Sequence, residues 1–172
     1  MGTAWPAGQR GSTARQYEEK GRGMPQRVTH ETAECPVARA VDVIGDRWSL
    51  LIVRDAFDGI TRFSEFQRNL GLAKNILSSR LRELVAHGIL EIVPGADGSA
   101  YHEYALTERG RDLFVILVSL RQWGEEHLFE PAEQHSVLLD THDNKPLRKL
   151  EPTDSTGRVV TPSEAFVQKV SG

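Results

Sequence analysis

The chain has 172 residues, 39% hydrophobic and 26% charged, with a formal net charge of −3. That is ordinary globular composition, enough for one domain with tails, and no run reaches the roughly 18 apolar residues a membrane-spanning helix needs. The lone Cys35 excludes an internal disulfide framework and a multi-cysteine zinc cage. None of His30, His87, His102, His127, His135 and His142 stands in a close ligand pair, so no metal or other cofactor is expected.

Residues 1–33 are rich in Gly, Arg, Gln and Ser and lack the apolar core of a secretory signal. They read as a flexible arm of a cytoplasmic protein, with Met24 as an alternative start. Val37, Val41 and Ile44 make one apolar stripe of a short first helix. Asp46 is placed to cap a second helix, Arg47 to Phe57, apolar almost all round and therefore central. Phe63, Phe66 and Leu70 mark a third helix ending at Gly71. A fourth runs from Lys74 to Ala86, with Leu77, Leu81 and Leu84 inward and Gly88 as its stop.

Leu90–Val93 and Tyr101–Leu106 flank the turn-rich segment 94–99 and predict a β-hairpin. Thr107 is an N-cap, and the apolar positions from Leu113 to Leu128 predict one long helix over 107–128, limited by Pro131. Residues 130–172 form a C-terminal extension with two turn signals, Asp143-Asn144 and Asp154–Gly157, and a final helical turn near Ser163–Phe166. It reads as short hairpins, for dimerisation, for an effector or partner, or as a disordered end.

Four helices, a hairpin and a long helix make a mainly α chain with a small β element: a winged helix-turn-helix over residues 34–129, with extra helices at its N- and C-terminal ends. Its fourth helix fits the roughly 12 Å major groove of double-stranded DNA. With the leucines inward, Asn75, Ser79 and Arg82 point outward and Ser78 and Ile76 lie on the flanks. Asn suits adenine and Arg suits guanine. Lys74, Arg80, Arg62 and Arg68 are candidates for phosphate contacts. Over residues 60–86 these five cations face only Glu65 and Glu83, a local balance of +3 in a chain that is negative overall. The plain alternative is a set of solvated helix faces.

The stretch from Cys35 to about Leu128 resembles the HxlR-type winged-helix regulators, distant relatives of the MarR group. The resemblance lies in Cys35-Pro36-Val37, Ile44–Trp48 with Leu50–Ile52, Arg62–Phe66, Leu77–Leu84 and Tyr104–Gly110. It implies a bacterial DNA-binding regulator, dimeric through its first and last helices, on a palindromic operator. The resemblance points to a repressor, open to control by a small molecule or an oxidant. Two positions depart from the pattern: Ala73 stands where a capping Ser is usual, and Pro94 to Tyr101 carries no basic residue. Some members carry an oxidant- or quinone-sensing thiol where Cys35 stands, although a lone cysteine is also an ordinary small hydrophobe. Trp48 reads as core, and Trp123 and His127 as a dimer seam or an effector pocket.

No GxSxG, GxGxxG, P-loop or metal spacing supports an enzyme. The rival reading is a winged-helix protein-docking module. Such a module would place apolar or acidic residues on the outward face of the fourth helix, which instead carries Asn75, Ser78, Ser79 and Arg82.

Overall fold

The computed structural model describes residues 29–95, 98 and 101–170; most of the expected 1–33 arm and part of the 94–99 turn lie outside them. The element order is α1 (Pro36–Ile44), α2 (Arg47–Phe57), α3 (Phe63–Leu70), α4 (Lys74–Ala86), β1 (Leu90–Pro94), β2 (His102–Leu106), α5 (Glu108–Arg111) and α6 (Phe114–His127). A 3-10 turn follows at Pro162–Glu164. The two strands pair antiparallel, Leu90 opposite Leu106 and Pro94 opposite His102. This is the mainly helical winged helix-turn-helix that the periodicity predicts.

The core forms where the inward stripes of α2, α3 and α4 meet. Ile52, Val53, Phe66, Leu77 and Leu81 are fully buried, joined by Leu84, Ile89 and Leu90. Each fully buried large aliphatic or aromatic side chain contributes about 1.5–3 kcal/mol, so this cluster dominates the stability of the domain. Trp48 packs against its edge as expected, and Arg47 lies over its ring at 4.4 Å. Gly71, at φ +63°, makes the left-handed turn that swings the chain from α3 into α4.

The single long helix expected over 107–128 is in fact two. Leu113 N–H donates to Gly110 O three residues back, at 3.2 Å, which inserts a 3-10 turn between α5 and α6. The cause is a close approach. A Cβ on Gly110 would lie 2.1 Å from Ile89 O, so α5 is pressed onto the start of β1. Thr107 fixes it there, donating to Gly88 O at 2.6 Å and accepting from Gly110 N–H at 3.0 Å.

The extension keeps both predicted turns, but each closes on one isolated bridge, Leu139 with Pro146 and Thr153 with Val159, rather than on strands. The predicted last helical turn is the 3-10 turn at Pro162–Glu164. No residue of 131–170 is fully buried. The segment is tied along α6 instead: Gln122 Nε2 donates to Arg148 O (2.9 Å), Leu150 N–H to Gln122 Oε1 (2.8 Å), and Lys149 pairs with Glu126 at 2.5 Å. Among the described residues no helix is long and apolar enough to cross a membrane.

Candidate nucleic-acid interface

The outward side of α4 follows from its periodicity. Leu77, Leu81 and Leu84 anchor one face in the core, which turns Lys74, Asn75, Ile76 and Arg82 to the surface. Ser78 and Ser79 are half-buried, and Ser79 Oγ donates to Glu83 at 3.4 Å. Lys74, Asn75 and Ser78 share a shallow open hollow with Phe63 of α3. Arg68 is exposed on the last turn of α3. Ala73 provides no side-chain cap for α4, as its methyl group dictates. The first N–H groups of that helix therefore remain available to an acceptor outside the chain.

Three polar ties set the angles between these elements. Asp46, before α2, accepts from Trp48 N–H (2.9 Å) and Ser49 N–H (3.1 Å), receives the Ser49 hydroxyl, and faces Arg80 of α4 at 3.6 Å. Burial pushes its carboxyl up, but the hydrogen bonds from Ser49 and Trp48 and the Arg80 charge outweigh this and hold it below its ordinary 3.8. Asp55, fully buried in α2, accepts from Arg54 at 2.5 Å and from Asn69 Nδ2 of α3 at 2.8 Å. Arg62, ahead of α3, donates to the nearly buried Glu103 of β2 at 3.1 Å, while Thr61 O accepts Tyr104 N–H at 2.8 Å. Through these ties α2 holds both α3 and α4, and β2 holds the approach to α3.

The candidate residues accordingly divide into two sets. Lys74, Asn75, Arg82 and Arg68 stand free at the surface, and the three cations make no ion pair among the described residues. Arg80 is turned inward: it bridges Asp46 and Glu83 (2.5 Å), and its Nε is enclosed without a hydrogen-bond partner. Arg62 is engaged with Glu103. Both guanidinium groups are therefore engaged within the protein, and the net positive potential of the face rests on the first set. Cys35 is a free, exposed thiol at the N-cap of α1, and its side chain makes no capping hydrogen bond.

Sequence reasoning passed over Asp55, Asn69 and Glu103. The available signal was an acidic residue inside the otherwise apolar α2, which a core helix accepts only with a partner. Ile76, placed on the flank by phase, is 39% exposed among the polar residues of α4.

A model of the HxlR-like helix-turn-helix family matches residues 43–132. HTH-type transcriptional regulator Rv3095 of Mycobacterium tuberculosis is 52% identical over 104 residues, which are 60% of this chain and 66% of that relative. This chain thus spans just under two thirds of that relative's length. YybR, an HTH-type transcriptional regulator of Bacillus subtilis, is 37% identical over 62% of this chain and 87% of its own. Among solved structures, PA1607, titled a candidate transcription factor, is 50% identical with TM-score 0.79 over 83% of this chain and all of its own. That coverage exceeds what residues 1–132 can supply, so the shared fold takes in part of the extension. The redox regulator HypR in its oxidized form is 37% identical with TM-score 0.50 over 54% of this chain.

Proposed function

We propose, on the premise that the chain belongs to the HxlR-like helix-turn-helix family, that it is a transcriptional repressor that binds palindromic double-stranded DNA as a homodimer. The observation that carries the reading is the exposed face of α4. It offers an amide, two hydroxyls, an isoleucine and two free cations, Lys74 and Arg82, on a helix locked by its leucines into a rigid core. Arg82 and Asn75 match the bidentate patterns of guanine and adenine, Ile76 suits a thymine methyl, and Lys74 and Arg68 suit phosphates. The uncapped start of α4 adds backbone donors for the same phosphates.

The dimer rests on exposed apolar side chains that the small core leaves uncovered. Val37 and Val41 on α1, with Val115, Ile116 and Trp123 on α6, are all at least 39% exposed. Two copies joined there would present two α4 helices to successive major grooves, about 34 Å apart or a multiple of that. Control by a small molecule completes the reading. A protein-docking function would call for an apolar or acidic α4 face, and this one is polar and cationic.

The test is selection from random DNA followed by footprinting with wild type and Arg82→Ala. We expect an inverted repeat to be enriched, and Arg82→Ala to relax one base position by about 1–3 kcal/mol. Equal affinity for every sequence would instead favour the docking reading.

A further inference from the structure

Between α2, α6 and the segment 129–138 lies a cavity of about 340 Å³. That is the lower end of the range of small-molecule sites, roughly 300–1,000 Å³. Its wall is apolar and ring-rich: Leu51 and Phe57 from α2, Phe114 and Leu117 from α6, Phe129 and Leu138 from the extension. The Phe57 and Phe114 rings meet at 5.4 Å, and Phe129 meets His135 in a tilted contact at 4.8 Å.

Both arginines and Glu125 at its rim already have partners, while Asp58 at the mouth is exposed to solvent. Arg121 Nη1 donates to Ser136 O at 2.8 Å and Oγ at 3.1 Å and meets Glu125 at 3.4 Å, while Arg54 is held by Asp55. An anionic guest would have to break these pairs and a cationic one would have to draw the hydrated Asp58 carboxylate out of water, whereas a neutral one leaves both as they are.

Phe114, Val118, Arg121 and Glu125 of the cavity wall fall on one side of α6 and Trp123 on the opposite, exposed side, with Leu120, which also lines the cavity, and Ile116 along the border between them. A second copy centred on Trp123 reaches the cavity only at its Leu120 edge and leaves the Phe114, Val118 and Arg121 side open.

We propose that this cavity binds a neutral, largely apolar small molecule bearing an aromatic ring, and that the segment after residue 132 serves to wall it. The inference rests on the regulator reading and names the class of its effector. Leu138, Ser136 and His135 lie beyond the family domain, so the third wall belongs to the extension. The signal has a short path: Arg54 lines the cavity, its neighbour Asp55 is the carboxylate that holds Asn69 of α3, and α2 begins at the Asp46 tie to Arg80 of α4. A guest that shifts α2 against α6 shifts the helix pair that faces DNA.

The experiment is titration of the full chain with the neutral fluorescent probe N-phenyl-1-naphthylamine, in wild type, Leu138→Trp, Leu138→Phe and Val167→Ser. We expect saturable binding of one probe per chain, about tenfold weaker in Leu138→Trp and intermediate in Leu138→Phe. Val167→Ser, in the exposed tail, should match wild type. Non-saturable binding, or equal binding in folded Leu138→Trp, overturns the site. Loss of the probe as the protein self-associates would assign the cavity to a second copy and also overturn it. DNA binding by the probe-free protein is measured separately. Failure there sinks the regulator reading alone, while operator binding that is unchanged by saturating probe sinks the coupling alone.

Discussion

Asp46 combines three roles in one carboxylate: it caps α2, orders Ser49 and neutralises Arg80 on α4. Replacing it with Ala removes a cap contributing about 0.5–2 kcal/mol and also leaves Arg80 paired only with Glu83. Its folded pKa lies below the ordinary 3.8, so its contribution is complete above that value and disappears as pH falls through the folded pKa. Thermal melts of wild type and Asp46→Asn should differ by a constant amount from pH 5 to 8 and converge below about pH 4. A gap that failed to narrow as the pH fell below 3.8 would contradict the assignment. Among the cations, Arg68→Ala and Lys74→Ala should each weaken DNA binding, flatten its salt dependence by about 0.9 in log–log slope and leave the melting temperature alone. Arg62→Ala should lower both affinity and melting temperature, because Glu103 would be left nearly buried without its cation. Equal melting temperatures for the Arg62 and Arg68 variants would dissolve that distinction. Cys35 is exposed and is the only thiol in the chain, so an oxidant must join two chains or add a small thiol. Arg39, the nearest cation in sequence, spends its Nε on Ala33 O at 2.5 Å. Diamide should therefore affect DNA binding equally in wild type and Cys35→Ser; a loss confined to wild type would make Cys35 a sensor.

At the scale of elements, the limits of α2 and α4 were legible because local chemistry sets them: Asp46 as a cap, leucines at helical spacing, Gly71 and Gly88 as stops. The break between α5 and α6 was not. It depends on Gly110 meeting Ile89 O, two groups far apart in sequence and joined only by the fold. Ala is the better helix former by about 1 kcal/mol, yet Gly110→Ala puts a Cβ 2.1 Å from a backbone oxygen. The steric cost wins, and chemical denaturation should show a net loss of about 1–3 kcal/mol. A stabilised variant would mean that α5 can lift from β1 freely. Phase alone found the exposed Asn75 and Arg82 of α4, but it put outward Ser79, which is half-buried against Glu83, and it missed the inward turn of Arg80, whose partner Asp46 lies outside the helix. The same holds for Asn69. Removing it leaves the buried Asp55 with Arg54 alone, at a cost of about 1–3 kcal/mol, and loosens α3 specifically. Hydrogen exchange should rise in α3 before it rises in α4; uniform exchange across the two helices would argue against the tie.

For the whole molecule, a chain of net charge −3 approaches DNA against its overall field, and the α3–α4 face offsets this locally. The free cations there, Lys74, Arg82 and Arg68, are fewer than the five counted along the sequence, since Arg62 and Arg80 are engaged internally. In the proposed dimer two such faces act together, which would link DNA binding to the apolar faces of α1 and α6. Selection from random duplex DNA by the full-length protein, with bound fragments sequenced and footprinted, tests the central claim most directly. The account predicts an inverted repeat whose half-site centres lie about 34 Å apart or a multiple of that, protected on one face of the duplex and weakened at one base position in each half by Arg82→Ala. No enrichment over the starting pool, or a site indifferent to Arg82→Ala, would contradict it.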